Sequence, residues 1–269
     1  MAIYAFIDGA YLRSRLTYIA KHLAIDAFKD PLEFDYAAFG THNAYKAFYY
    51  DCLPARKSTE SRDDYEKRVE PQQRLFKSIK SLPGYHVVLG ETIRSGGDIV
   101  QKGVDISIAV DMLTYSFRGV ISEAILFAGD RDFVPLVSAL VQQGVYVTVR
   151  YHPQSVAEEL LDAADVRDEY DTSRLWNLFK PQVKRRHPAP EVGESQDVSL
   201  SCQNAPIIRR GMLGTEEARL YKDGDVFRLF LPYLDAYANK RYRYIWHPDE
   251  TVITKLLGEK AIAIDWIAE

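Results

Sequence analysis

The chain has 269 residues, enough for two average domains, and its hydrophobic fraction of 47% can supply a substantial core. Its 34 basic and 38 acidic residues give a net charge of -4, which excludes the strongly basic class of proteins that coat nucleic acid. A nucleic-acid partner would therefore need a local basic surface or a bridging metal ion.

The N-terminal apolar run, residues 2–7, ends in Asp8 and has no basic region before it, so we predict a buried strand rather than a signal peptide. No apolar stretch approaches the roughly 20 residues that span a bilayer. The two cysteines, Cys52 and Cys202, lie far apart and in no metal-ligand spacing, which indicates a reducing compartment. We therefore expect a cytoplasmic protein with no membrane partner.

Short apolar runs alternate with segments of helical spacing through the first half of the chain. We predict strands at residues 3–7, 45–50, 85–89, 124–128 and 145–149. Helices are predicted at residues 11–23, 104–117, 133–141 and 156–164. A further helix is predicted from within the charged segment 56–70 to Ile79. Residues 91–102 contain Gly96-Gly97 and are predicted to be an exposed loop. This alternation predicts an α/β fold with a parallel sheet covered on both faces.

The composition changes after the predicted first domain, which we place at residues 1–175. Residues 181–206 are basic, proline-containing and then polar, and we predict a linker there. Residues 207–269 are long enough for a small α+β module, with a terminal strand at 261–267. This module could contact a protein partner or a second copy of the chain.

One aromatic and basic segment of that module, residues 240–247, could contact RNA. As a strand it would place Arg241 and Arg243 on one face and three aromatic residues on the other. Arginines can pair with phosphate and aromatic rings can stack on unpaired bases. We favour the simpler interpretation, in which the aromatic face is core and the arginines are solvated.

Aspartates follow the predicted strands where each strand ends. Asp8 ends the first strand, Asp130 and Asp132 follow the fourth, and Asp105 begins the helix after the third crossover. The carboxyl ends of parallel strands meet at one edge of the sheet, where such folds bind ligands. Converging carboxylates repel one another, and Mg²⁺ or Mn²⁺ relieves that repulsion through oxygen ligands. The sequence therefore predicts an acidic, metal-binding pocket.

Each of these residues also has a purely structural interpretation. The aspartates could be helix caps or turn residues only. Lys102 could hold a phosphate or be a solvated lysine. Asp111 lies six residues beyond Asp105, and we leave it outside the site.

Three blocks of sequence resemble the NYN domain family, the LabA-like branch of the PIN-like nuclease superfamily. The blocks are Phe-Ile-Asp-Gly at residues 6–9, Lys-Gly-Val-Asp-Ile-Ser-Ile-Ala-Val-Asp-Met-Leu at 102–113, and Gly-Asp-Arg-Asp-Phe-Val-Pro-Leu at 129–136. Residues 156–166 are similar to the closing helix of the family, and the resemblance covers about residues 1–170. It implies a three-layer α/β/α PIN-like domain.

The resemblance also implies a metal-dependent endoribonuclease that hydrolyses RNA through a metal-activated water. Its catalytic and metal-binding residues would be Asp8, Asp105, Asp130 and Asp132, with Mg²⁺ or Mn²⁺ as cofactor. The substrate-binding candidates are Lys102, Tyr11 and Arg131.

Two alternatives to the nuclease stay open. Tyr11 stands where the family often has asparagine, and Ala128 where many members have serine, which is compatible with a non-catalytic RNA-binding or regulatory module. A phosphatase of the haloacid-dehalogenase type would need a second aspartate at position 10, which is Ala10.

Overall fold

The computed structural model describes residues 2–22, 33–41, 44–95, 98–198, 202 and 204–267, without the side chains of 21, 22, 41 and 91–102. The chain divides into two compact units, the first reaching Lys180 and the second beginning at Pro181. No helix in the described part of the chain is both long and apolar enough to cross a membrane.

The first unit alternates strands and helices as predicted. Its strands are β1 (Ala2–Asp8), β2 (Lys46–Asp51), β3 (Tyr85–Leu89), β4 (Glu91–Ser95), β5 (Asp98–Lys102), β6 (Ile121–Phe127), β7 (Tyr146–Tyr151) and β8 (Val166–Glu169). Its helices are α1 (Gly9–His22), α2 (Tyr36–Thr41), α3 (Arg62–Lys80), α4 (Val104–Phe117), α5 (Val134–Gln142), α6 (Glu158–Asp162) and α7 (Thr172–Trp176).

A six-stranded parallel sheet in the order β3-β2-β1-β6-β7-β8 forms the centre of this unit. Four consecutive residues of β1, from Tyr4 to Ile7, are buried, as expected of a strand with helices on both faces. The predicted α/β architecture with a central parallel sheet is confirmed. The first and fourth apolar strands of the sequence pair directly as β1 and β6.

Several elements of the first unit differ from the sequence prediction. Residues 91–102, predicted as an exposed loop, form the antiparallel hairpin β4–β5; Gly96-Gly97 lie outside the described residues. Helices α2 and α7 and the edge strand β8 were not predicted. Strand β8, with the sequence Val-Arg-Asp-Glu, has no apolar run because it pairs on one side only, with β7.

The second unit is built on an antiparallel sheet. It contains α8 (Pro181–Arg186), β9 (Glu191–Ser195), β10 (Ile207–Leu213), β11 (Glu216–Asp223), β12 (Val226–Leu234), β13 (Lys240–His247), α9 (Glu250–Glu259) and β14 (Asp265–Trp266). The strand order is β14-β10-β11-β12-β13-β9. This agrees with the predicted α+β module.

The segment predicted as a linker, residues 181–206, is partly folded. It supplies helix α8 and the edge strand β9, which pairs with β13 along its whole length. An edge strand is stabilised through backbone hydrogen bonds and tolerates polar side chains, so composition alone did not reveal it. The terminal strand is also shorter than predicted, since Ala261 lies in a turn with a φ of 52°. The domain limits 1–175 and 207–269 stay predictions.

The aromatic face of β13 packs as core. Tyr242 and Tyr244 lie against a cluster that includes Phe230 and Tyr221. On the opposite face, Arg241 pairs with Asp235 at 3.1 Å and Arg243 with Glu194 at 3.6 Å, so both arginines that were predicted to be solvated have a carboxylate partner.

Candidate functional site

Two aspartates occupy the carboxyl edge of the central sheet because their strands are neighbours. Ile7 of β1 is paired with Phe127 of β6, so Asp8 leaves its strand at the same level as the segment that leads to Asp130. This is where an open parallel sheet places its ligands.

Asp8 is half-buried, and its Oδ1 accepts the backbone N–H of Tyr11 at 3.0 Å. Burial raises the pKa of Asp8 to about 6, against the lowering effect of the Tyr11 hydrogen bond. The negative charges of Asp105 and Asp51 raise this pKa further. Asp8 therefore caps the first turn of α1 and also belongs to an acidic cluster.

Asp105 lies in the first turn of α4, after Gly103, whose φ of 93° is in the left-handed region that favours glycine. The residue is exposed, but its carboxyl is partly withdrawn from solvent, and this desolvation raises its pKa. The charges of Asp130 and Asp132 raise the pKa of Asp105 further. Asp105 thus raises the pKa of Asp8, and its own pKa is raised by Asp130 and Asp132.

Asp130 and Asp132 begin the short 3-10 turn that precedes α5. Asp130 Oδ1 accepts the backbone N–H of Asp132 at 3.0 Å, so Asp130 is the cap of this turn. Both residues are exposed. The carboxylate of Asp132 makes no capping bond to this turn, which leaves it available to a ligand.

The four aspartates fit a hard divalent cation by their donor chemistry, since all four supply carboxylate oxygens. Within the described residues, no three histidine, cysteine, aspartate or glutamate side chains lie close enough together to surround one ion. Mg²⁺ commonly binds through one or two carboxylates and keeps several water ligands. One or two of the four aspartates could hold an ion in that way, whereas the described residues form no all-protein cage.

The three predicted substrate contacts have different surroundings. Lys102 ends β5, and its side chain is outside the described part of the structure. Arg131 is exposed and lies 3.4 Å from Glu159. Tyr11 is half-buried, and its ring centroid is 5.1 Å from that of Phe127.

The hydroxyl of Tyr11 fixes the segment that follows β7. It donates to the carbonyl of Ser155 at 2.6 Å and accepts the backbone N–H of His152 at 3.0 Å. Burial raises the pKa of Tyr11 to about 12, so the phenol stays protonated and able to donate. Tyr11 therefore positions the segment 152–155.

Asp51 is a member of the cluster that sequence reasoning missed. It ends β2 as Asp8 ends β1, is fully buried, and forms an ion pair with Arg13 of α1. It also accepts hydrogen bonds from the hydroxyl of Tyr49 at 3.2 Å and from the backbone N–H of Cys52 at 2.7 Å. Burial raises the pKa of Asp51, and the charge of Arg13 opposes that rise. The strand-end rule applied to Asp8 would have found it.

Glycines beside the two central aspartates allow close packing. A Cβ on Gly9 would lie 2.5 Å from the Tyr49 ring, and one on Gly129 would lie 2.5 Å from the Tyr11 ring and even closer to the Ser155 carbonyl. Real Cβ atoms do not approach so closely. The backbone next to Asp8 and Asp130 therefore requires glycine.

A Gly129→Ala substitution is expected to lower the free energy of unfolding by about 1–3 kcal/mol, because the new methyl group meets a backbone oxygen and a buried ring. Chemical denaturation would measure this change. Gly258→Ala is the matched control: Gly258 lies in α9 with nothing within 4 Å of the added Cβ, so it should gain a few tenths to about 1 kcal/mol. Equal losses in both variants would show that the packing around Gly129 is not the cause.

The sequence profile of the NYN domain matches residues 3–169, more than half of the chain. Among solved structures, a protein of unknown function from Vibrio parahaemolyticus is 25% identical; the match covers 63% of this chain and 92% of that one, with a TM-score of 0.43. The polyphosphate kinase from Porphyromonas gingivalis is 8% identical, with 96% and 44% covered and a TM-score of 0.18. At these TM-scores neither similarity bears on fold or function. No curated protein matches the chain.

Proposed function

This chain belongs to the NYN domain family, a part of the PIN-like nuclease superfamily, and from that premise we propose that it is a metal-dependent endoribonuclease. The acidic cluster formed by Asp8, Asp105, Asp130 and Asp132 would be its catalytic centre. The observation that carries the proposal is that Asp8 and Asp130 lie at the carboxyl ends of the paired strands β1 and β6, where the charge of Asp105 raises the pKa of Asp8, and those of Asp130 and Asp132 raise the pKa of Asp105. RNA is the proposed partner, and the cytoplasm its proposed location.

Mg²⁺ or Mn²⁺, held by Asp8, Asp105, Asp130 and Asp132, would supply water activation and neutralise charge that develops on a phosphodiester oxygen. Asp8 is ionised above its pKa of about 6, and its orientation is fixed by the Tyr11 N–H. Asp130 is held by the turn that it caps, so two of the four carboxylates are oriented before any ligand arrives. Arg131 and Lys102 are the basic side chains proposed to meet RNA phosphates at this edge.

We expect cleavage of labelled single-stranded RNA with Mg²⁺ or Mn²⁺ and none in EDTA. An Asp105→Asn variant should lose at least about 100-fold in rate, since losing a carboxylate that stabilises a cation and a developing charge removes several kcal/mol. Gel analysis of initial rates would measure both effects.

Asp111→Asn is the matched control, because it removes one carboxylate from the same helix. Asp111 accepts a hydrogen bond from the Tyr50 hydroxyl at 2.8 Å, which an asparagine oxygen can also accept. Its rate should stay near that of the parent protein. Cleavage that survives EDTA, or that falls equally in both variants, would rule out the proposed centre.

A non-catalytic RNA-binding or regulatory module is the second candidate. It is favoured by Tyr11, which holds the 152–155 segment where the family often has an asparagine. This candidate predicts RNA binding without cleavage under all metal conditions. The haloacid-dehalogenase alternative gains no support, because Ala10 occupies its second aspartate position and lies inside α1.

A further inference from the structure

Arg15 of α1 has surroundings that are unusual for a surface arginine. Its guanidinium carbon lies 5.9 Å from the centroid of the Tyr11 ring and 5.5 Å from that of Tyr18. Both distances are within the range of a cation–π contact. The two rings flank the guanidinium and restrict its motion. Each ring is held in turn by a hydrogen bond of its hydroxyl: that of Tyr18 donates to Gln154 Oε1 at 2.6 Å, and that of Tyr11 donates to the Ser155 carbonyl.

This ordered cation has no carboxylate partner among the described residues. Its one hydrogen bond there is to the hydroxyl of Ser14, at 2.9 Å, and its Nε is buried without a partner. Arg13 of the same helix differs in this respect, since it forms an ion pair with Asp51. A restricted guanidinium with unused donors is well suited to a phosphate, which it can bind through paired N–H groups.

Arg15 is also close to the acidic cluster. The Tyr11 ring contacts Arg15 and also packs against Gly129, the residue before Asp130. The backbone N–H of the same tyrosine donates to Asp8. Arg15 lies seven residues beyond Asp8, which corresponds to a rise of about 10 Å along α1. That separation suits a phosphate that neighbours the scissile one.

We propose that Arg15, held between Tyr11 and Tyr18, binds a backbone phosphate of the RNA next to the phosphate at the acidic cluster. This inference rests on the proposed RNA substrate and adds a substrate-positioning contact to that site. The carboxylates repel an RNA strand, and Arg15 supplies a compensating attraction beside them. Because a phosphate contact carries no sequence information, Arg15 should fix the register of the strand without selecting bases.

The test measures binding of labelled single-stranded RNA to the full chain in EDTA, where the proposed cleavage does not occur, at several salt concentrations. Arg15→Gln should raise Kd by about tenfold, the usual effect of losing one charged hydrogen bond. It should also reduce the slope of log K against log salt by about 0.7, the value for one phosphate contact on a single strand. Arg15→Lys retains the charge and should restore the salt slope.

Arg118→Gln is the matched control, since Arg118 is an exposed arginine that follows the C-terminus of α4, at the opposite edge of the sheet. It should leave Kd and the salt slope near those of the parent. An unchanged salt slope in Arg15→Gln, or equal changes in both glutamine variants, would overturn the inference. Thermal unfolding of each variant shows whether a loss reflects misfolding, in which case Arg15→Lys decides the outcome by its salt slope.

The two proposals can fail separately. A parent protein that binds RNA with the Arg15 dependence but cleaves nothing with Mg²⁺ or Mn²⁺ would refute the nuclease and leave the phosphate contact standing. A parent that cleaves RNA while Arg15→Gln binds normally would refute only the contact. A parent that neither binds RNA in EDTA nor cleaves it with Mg²⁺ or Mn²⁺ would overturn both.

Discussion

An Asp8→Asn variant is expected to lose at least about 100-fold in metal-dependent RNA cleavage and yet to resist unfolding better than the parent at pH 8 in EDTA. The loss follows from removing a charge that the proposed cation and reaction need. The gain follows because the carboxylate is ionised in a partly buried place beside Asp105 and Asp51. An asparagine oxygen can still accept the Tyr11 N–H, so the cap is kept.

The sign of the stability effect follows from proton linkage. Burial raises the pKa of Asp8 from 3.8 to about 6, so the folded state binds a proton more tightly than the unfolded state. The stabilisation from this proton is complete below about pH 3.8 and is lost as pH rises through about 6. At pH 8 the ionised carboxyl therefore costs about 1–3 kcal/mol, and the neutral amide avoids this cost.

Denaturant unfolding of both proteins at pH 5 and pH 8 in EDTA would measure this effect. The advantage of Asp8→Asn should be larger at pH 8 than at pH 5. Asp111→Asn, with the same change in charge, should shift neither cleavage nor stability appreciably. An Asp8→Asn variant that is equally destabilised at both pH values would contradict the assignment of Asp8 to a strained acidic cluster.

An Asp51→Ala variant is expected to lose about 3 kcal/mol or more in free energy of unfolding. Asp51 has no exposed surface, and its removal leaves Arg13 without its buried counter-charge. Breaking a buried pair by removing one partner usually costs about 3–5 kcal/mol. The hydroxyl of Tyr49 and the N–H of Cys52 would also lose their acceptor.

Glu66→Ala provides the control for the Asp51 variant, because Glu66 pairs with Arg62 on the exposed surface of α3 at 2.9 Å. Such pairs contribute between 0 and about 1 kcal/mol, so its stability should hardly change. Urea unfolding of the two variants would give the comparison. Similar small losses in both would mean that Arg13 and Asp51 are not a buried pair in solution.

The carboxyl-end rule predicts most of the proposed site without a structure. Once the sequence predicts parallel strands at residues 3–7 and 124–128, Asp8 and Asp130 must lie at the same edge. The assignment of the four aspartates to one metal site stays a prediction; among them, Asp105 raises the pKa of Asp8, and Asp130 and Asp132 raise that of Asp105. The same rule applies to Asp51, which ends β2. Asp51 was missed because Tyr-Tyr-Asp at the end of β2 belongs to no motif and is not followed by glycine.

The sequence by itself determined the α/β class and predicted the edge of the sheet at which the acidic residues should gather. Local periodicity suffices for this, because burial on one or both faces leaves a pattern along each segment. Only the tertiary structure decided that β8 and β9 are strands, that Arg13 neutralises Asp51, and that Tyr11 holds Arg15 on one side and the 152–155 segment on the other. These depend on partners far away in sequence, which leave no local pattern in the residues that meet them.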